Sequence, residues 1–435
     1  MILKFTLKSF VHLFKSLGQN EYRDFILHSF QVAKISSLIT KRLGFTNWGK
    51  VYLLGLLHDV GFLLRDLKDT TQHILLESLD TERTIERYDL RNIHPAISYL
   101  LLKNTKFFGE EELAIVLYHH ENLDGGSAIE PFMTIFRLAD SISRNLTKIR
   151  RFDDYATVLP EVWRKVKVRR NVPESVKKIT LEILEDYTLV EQLLDDNPHF
   201  EIFSGFFDQV IDIDTFIEFA KIISLILGTR SIFTRNHLSL VARTSEAIAR
   251  SMLGTLDGKV MKLAGFVHDV GKIKTPLSIL HKKGKLTNEE WILMKKHVVD
   301  TVHTLQEADL RFLAVICGAH HERLDGSGYP MGLVEDQMTI YQKILQVADV
   351  YSALIERRPY RSAVSYREAL DIVKKEVEKG RLDEKVFNEL KNVVLSEPAL
   401  MRTRYSDVLK DFFGDRYREI AEILKDVLWS RGSLR

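Results

Sequence analysis

Apolar residues recur every three or four positions along most of the chain, the spacing that gathers them on one face of a helix. The stretches Tyr22 to Leu43, Ser175 to Leu194, Thr215 to Leu227, Leu238 to Leu253 and Tyr366 to Glu378 carry the pattern most clearly, and the run Lys259 to Val267 is also helix-like. Alternation with period two, which a half-buried strand needs, is scarce. Nine prolines in 435 residues leave the helical stretches mostly intact. The pattern predicts an all-α protein. Loops are expected at Gly44-Phe45-Thr46-Asn47, Asp124-Gly125-Gly126-Ser127, Asp325-Gly326-Ser327-Gly328 and Arg358-Pro359. Lys4, Lys8 and Lys15 interrupt the apolar N-terminus too often for a signal-peptide core, so an amphipathic first helix packed on the body is expected there. No run of about 18 uninterrupted apolar residues occurs, and no transmembrane segment is expected.

An internal repeat overlies this helical pattern. The first half carries His28, His58-Asp59, His94, His119-His120 and Asp140; the second carries His237, His268-Asp269, His297, His320-His321 and Asp349. The order is the same in both: His, His-Asp, His, His-His, Asp. Thirty residues separate His28 from His58, and 31 separate His237 from His268. Both copies contain His-His-Glu-x-Leu-Asp-Gly. A tandem duplication accounts for this. Ten of the fifteen histidines fall in the two sets. The other five, His12, His73, His199, His281 and His303, are expected to be structural or solvent-facing.

Five histidines and two aspartates per copy exceed what one tetrahedral zinc takes, and such structural sites usually carry cysteines. The count suits two metals with a bridging carboxylate. Imidazole with carboxylate favours Fe, Mn, Zn or Ni without separating them. Two adjacent metals can deprotonate a shared water for attack on phosphorus and offset charge on the phosphoryl oxygens. Asp269 is the candidate bridge. Lys272 lies one helical turn beyond it and, with Arg358 and Arg361, would neutralise a phosphodiester. In the first copy Phe62 stands where Lys272 would be.

Composition narrows the setting. The chain has 62 basic and 60 acidic residues, so bulk charge gives no reason to expect nucleic-acid binding. The basic run Trp163 to Arg170 is read as a solvated helix or linker face, because no aromatic stacking platform is interleaved with it. A single cysteine, Cys317, excludes an intrachain disulfide and fits a reducing, cytoplasmic setting; it is read as inert core. The expected organisation is a first domain over 1–150, a helical bridge over 151–228 with a break at Asn197-Pro198, a second domain over 229–380 and a helical extension over 381–435, the last offering a homodimer surface. Phe200, Phe203, Phe206 and Phe207 are read as interdomain core.

The second copy resembles the HD superfamily of metal-dependent phosphohydrolases, and within it the HD-GYP subgroup. The resemblance covers about Thr229 to Arg361 and rests on His268-Asp269-Val270-Gly271-Lys272, His297, the run His320-His321-Glu322-Arg323-Leu324-Asp325-Gly326-Ser327-Gly328-Tyr329-Pro330, and Ala348-Asp349-Val350-Tyr351-Ser352-Ala353-Leu354 followed by Arg358-Pro359-Tyr360-Arg361. It implies tandem helical bundles, each with a central metal site. It implies metal ligation by His237, His268, Asp269, His297, His320, His321 and Asp349, with iron or manganese as the metals. The implied reaction is hydrolysis of cyclic di-GMP, as a signalling molecule, to the linear dinucleotide or GMP by a metal-bridging hydroxide. Asp269 and Lys272 would carry the chemistry, while Lys272, Tyr329, Arg358 and Arg361 would contact substrate.

The copies depart from the family in different places. Some members carry a Glu one turn before the first His, supporting a third metal; Phe233 stands there, so two metals are expected in the second copy. The family usually has an Asp three residues after the last ligand, where this chain has Ser352. The first copy resembles the wider superfamily. It keeps His28, His58, Asp59, His94, His119, His120 and Asp140, has Asp24 at the third-metal place, and lacks Gly-Tyr-Pro. It is expected to hold two or three metals and to be diverged or regulatory. Hydrolysis of another nucleotide, or a nucleotide-binding signalling scaffold without turnover, are the other readings. A diiron oxygenase is more distant, because Lys272, Arg358 and Arg361 argue for phosphate.

Overall fold

The computed structural model describes residues 4–63, 94–120, 130–203, 205–282, 284–356, 364–397, 400 and 411–413. Its secondary structure is almost wholly helical. The one sheet among the described residues is a two-residue antiparallel pair, Phe5–Thr6 with Val210–Ile211. No described helix is long and apolar enough to cross a membrane. The chain divides into two compact units, one spanning 14–209 with 418–435, the other 1–13 with 210–417.

The first unit is built on the helix Arg23–Arg42, which packs against Trp48–Leu57 and Glu130–Leu146. Trp48–Leu57 is buried along most of its length, as expected for a helix apolar all round. His94–Asn104 and Glu110–Leu117 complete the bundle. The stretch expected as one helix from Ser175 to Leu194 is two, Glu174–Glu185 and Tyr187–Leu194. Asp186 breaks it by adopting an extended backbone and accepting a hydrogen bond from the amide of Leu189 at 3.2 Å. The phenylalanine cluster, expected as interdomain core, packs within this unit on the helix Trp48–Leu57. Phe203 and Phe207 pack on Tyr52 at 5.1 and 4.9 Å, and Phe206 covers Gly49, where any Cβ would meet its ring. The segment around Asn197-Pro198 is tied down by Lys34, whose buried ammonium donates to the carbonyls of Gln192 and Asp195 at 2.6 and 2.8 Å. Burial lowers its pKa to about 8 against the opposing pull of Asp195.

The second unit repeats the plan. Ile232–Leu253 packs against Thr255–Val267 and Ile340–Ile355, and Asn288–Glu307 runs beside the short turn Val270–Lys274. Capping boxes start three helices: Thr287 with Glu290, Thr339 with Gln342, and Ser365 with Glu368. Each N-cap contributes about 1 kcal/mol. Ile213–Thr229 and the N-terminal Phe5 and Phe10 belong here, with Phe10 stacked on Phe219 at 4.4 Å. Glu384–Ser396 also packs on Ile232–Leu253 and Ile340–Ile355. Cys317 is fully buried, and burial raises its thiol pKa far above the ordinary value, consistent with an inert core residue.

Two close backbone approaches recur at matching places and set up both sites. Gly55 faces Ala33 and Gly265 faces Ala242, so closely that a Cβ would lie 2.6 and 2.4 Å from the opposing Cα. Each glycine sits three residues before a His-Asp pair. Gly61 and Gly271 repeat the device two residues after each pair: a Cβ would meet the carbonyl of His94 or His297 at 2.3 or 2.1 Å. Their amides donate to Ser98 and Thr301, each at 2.9 Å. Glycine is required at these positions because the helices bearing the ligands cross at backbone distance.

Candidate metal centres

In the second unit, His268 and Asp269 end the helix Thr255–Val267 inside the bundle, 0% and 1% exposed. Nδ1 of His268 faces the carbonyl of Gly265 at 2.8 Å, that of His297 the carbonyl of Met294 at 2.6 Å, and that of His320 the carbonyl of Cys317 at 2.6 Å. A carbonyl only accepts, so each Nδ1 must carry the proton and each neutral ring presents a lone pair at Nε2. These lone pairs converge. Nε2 of His297 lies 3.4 Å from Nε2 of His320 and 3.2 Å from Oδ1 of Asp269, while Nε2 of His268 lies 3.4 Å from Oδ2. Nε2 of His268 is buried without a hydrogen bond. Lone pairs and a carboxylate so crowded repel one another unless a cation lies among them. The donor set therefore fits metal ions, and the two oxygens of Asp269 face different histidines.

The remaining ligands close the set. His237 Nε2 meets Oδ1 of Asp349 at 2.9 Å, and His321 Nδ1 lies 3.7 Å from its Oδ2. Two groups, His237-His268-Asp269 and His297-His320-His321, each offer ligand atoms within 4.8 Å of one another. Burial lowers the pKa of His320 to about 3 and holds that of His321 well below its ordinary value. Burial opposes ionisation of Asp269, but Lys272 and the nearby histidines outweigh it, and its carboxyl stays well below the usual range. Lys272 pairs directly with Oδ2 of Asp269.

Tyr329 lies over the centre, its ring 4.9 Å from that of His321 and 6.1 Å from Trp291. Arg358 and Arg361 lie outside the described residues, as does the side chain of Phe233. Two further residues matter that motif reading passed over. Glu322, fully buried, accepts from the amides of Met331 and Leu333 at 2.6 and 3.0 Å and so pins the Gly328-Tyr329-Pro330 loop. Its signal was present in the shared His-His-Glu run. Arg230 donates to the carbonyls of Lys272 and Ile273, holding the turn that carries Lys272. His281 in turn donates to the Arg230 carbonyl at 2.6 Å, a structural role.

The first unit assembles the same set. Nδ1 of His58 faces the carbonyl of Gly55 at 2.8 Å and that of His119 the carbonyl of Val116 at 2.6 Å. Nε2 of His94 lies 3.0 Å from Asp59, 3.4 Å from His119 and 3.2 Å from His120. Nε2 of His28 lies between Asp59 and Asp140, at 3.7 and 3.5 Å. The groups Asp59-His94-His119-His120 and His28-His58-Asp140 divide the histidines as in the second unit but place the aspartate of the His-Asp pair with the later histidines. Burial lowers the pKa values of His58 and His120 to about 4. Asp24 is not brought to this cluster: its exposed carboxylate pairs with Arg150 at 3.2 Å. Phe62 sets its ring 5.7 Å from His94.

Comparison with known proteins agrees with this duplicated architecture. Two family models, each described as an HD domain, match residues 25–145 and 221–386. A 3'3'-cGAMP-specific phosphodiesterase 1 of Vibrio cholerae serotype O1 is 30% identical over 359 residues, covering 78% of this chain and 80% of that protein. A cyclic di-GMP phosphodiesterase of Thermotoga maritima is 36% identical over 160 residues, covering 36% of this chain and 44% of that protein. A crystal structure of a cyclic GMP-AMP-specific phosphodiesterase from V. cholerae superposes with a TM-score of 0.56 at 18% identity, covering 92% of this chain and 100% of that one, which supports the fold. The chain belongs to the HD superfamily of metal-dependent phosphohydrolases and carries two HD domains in tandem.

Proposed function

We propose that the second HD domain is a cyclic dinucleotide phosphodiesterase that cleaves cyclic di-GMP to the linear dinucleotide or GMP, and that the first domain holds metal without comparable turnover. The observation that carries the assignment is the lysine–carboxylate pair Lys272–Asp269 at the second cluster, against Phe62 at the same place in the first. Two iron or manganese ions held by His237, His268, Asp269, His297, His320, His321 and Asp349 would activate a water and offset phosphoryl charge. Asp269 spans the two halves of the ligand set with its two oxygens. Lys272 is placed to neutralise a non-bridging phosphoryl oxygen. Tyr329, half-buried beside His321, shapes the approach from the loop side, and Arg358 and Arg361 are assigned to the phosphates from the motif.

A second substrate is favoured by one observation. The relative that covers 80% of its own length with this chain is named for 3'3'-cGAMP. The two substrates differ in one base and share the backbone that the cluster would cleave. The test is a side-by-side assay of cyclic di-GMP and 3'3'-cGAMP with the full chain, reduced and reconstituted with Fe(II) or Mn(II). Hydrolysis of either, abolished by Asp269→Ala, is the expected result. Hydrolysis of mononucleotides alone would overturn the substrate class, and unimpaired turnover by Asp269→Ala would overturn the site.

A further inference from the structure

The ten cluster histidines divide by the partner of their Nδ1, and His28 and His237, the first of each set, differ from five of the others. For His58, His119, His268, His297 and His320 the tautomer is set by a carbonyl three residues back. His28 and His237 lie within Arg23–Arg42 and Ile232–Leu253, and no such carbonyl bond is formed there. Their Nδ1 atoms need an acceptor from another helix. In the first domain this is Ser143, three residues after Asp140, with Oγ 2.8 Å from Nδ1 of His28. The Ser143 hydroxyl donates to Oε1 of Gln31 at 2.6 Å, which leaves its oxygen to accept from the imidazole.

That relay is missing in the second domain. Ser352 takes the place of Ser143, three residues after Asp349, and its buried Oγ makes no hydrogen bond. Leu240 takes the place of Gln31, three residues after the first histidine, so nothing there receives the hydroxyl proton. Nδ1 of His237 is buried without a hydrogen bond, and Oε2 of Glu356 lies 3.6 Å from it. Glu356 is 3% exposed and follows Ser352 by four residues, one turn along the same face.

We propose that Glu356 is the positioning residue for His237, replacing in the second domain the hydroxyl that Ser143 supplies in the first. This rests on the reading that the second cluster holds metal, and is independent of which ester is cleaved. A carboxylate only accepts, so it can hold His237 solely in the tautomer that leaves the Nε2 lone pair facing Asp349. The present approach must close by a few tenths of an ångström to become a hydrogen bond. Such outer partners fix ring orientation and raise ligand basicity.

The test uses the full chain with the first domain silenced by His58→Ala and Asp59→Ala, so that bound metal reports the second domain alone. Each protein is stripped with chelator and titrated with Mn(II), and affinity and stoichiometry are read directly. Glu356→Ala is expected to weaken Mn(II) binding about 10- to 100-fold, the usual effect of losing such a partner. The double variant Ser352→Asp/Glu356→Ser, which moves the carboxylate back one turn, is expected to recover most of that loss. If Glu356→Ala does not fold, the double variant decides alone, and its binding of Mn(II) near the parental affinity supports the assignment. Unchanged affinity in Glu356→Ala, or failure of the double variant to fold or to recover binding, overturns it. Parental protein that binds Mn(II) but leaves cyclic dinucleotides intact would sink the substrate reading and leave the role of Glu356 standing.

Discussion

The two HD domains hold the same seven ligand types with nearly the same internal geometry, yet they differ at the edge of the cluster. His94 and His297 each bring Nε2 to the aspartate of the His-Asp pair, at 3.0 and 3.2 Å, and each lies 3.4 Å from the next histidine. Beyond the ligands the domains part. The second sets a lysine on Asp269 and a tyrosine over His321; the first sets the apolar ring of Phe62 beside His94. The duplicated scaffold keeps the seven candidate ligands in both copies, while the lysine proposed to meet phosphate stands in only one. The proposed function thus separates metal binding from turnover between the two domains.

The largest expected effect would break the comparison outright. Asp269→Ala should lower phosphodiester turnover by about a thousandfold or more, since a bridging ligand supports several kcal/mol of charge stabilisation. Asp59→Ala should leave turnover within about tenfold of the parent on the same scale. Steady-state assays on both variants decide whether the asymmetry is real. Next in size, Lys272→Met should cost about a hundredfold in kcat, as for loss of one charge-stabilising donor. Equal loss from a substitution at Phe62 would contradict the assignment.

Smaller effects should be the same in both domains. Gly55→Ala and Gly265→Ala each push a methyl against an opposing helix backbone, and each should destabilise its domain by about 1–3 kcal/mol in urea unfolding. A marked difference between them would show that the shared crossing is needed in only one copy. The metal-free chain should also lose stability in acid. The pKa values of His58, His120 and His320 are depressed to about 4, 4 and 3, so the unfolded chain binds more protons than the folded one. That stability is complete above about pH 6.5, the unfolded histidine value, and drains away as pH falls towards 3 to 4. Thermal melts of chelated protein across this range test it, and melting that is flat with pH would contradict buried neutral histidines.

The helices and the order of the ligands were legible in the sequence because both are local or repeated signals. Tyr366–Glu378 follows its apolar periodicity end to end, and in each copy the His-Asp pair follows the first histidine by 30 or 31 residues. What periodicity misses is a side chain that acts across helices. Asp24 stands one turn before His28, the right place on its helix for a ligand, yet its carboxylate is taken by Arg150 far along the chain. Arg230 and Glu356 fall in no ligand pattern, and their contacts with the Lys272 turn and with His237 exist only once the bundle is closed. An apolar cluster does not name its partner either: the phenylalanines near Phe203 pack where Gly49 makes room for them beside Tyr52.

The most direct measurement pairs metal content with turnover in the full chain, each His-Asp pair replaced in turn. This division of labour between the domains implies about four metals per chain in the parent, two for each domain, and about two after either replacement. It predicts that cyclic dinucleotide hydrolysis survives loss of His58-Asp59 and disappears with loss of His268-Asp269. Hydrolysis that vanishes with His58-Asp59 while the second domain keeps its metals would contradict it.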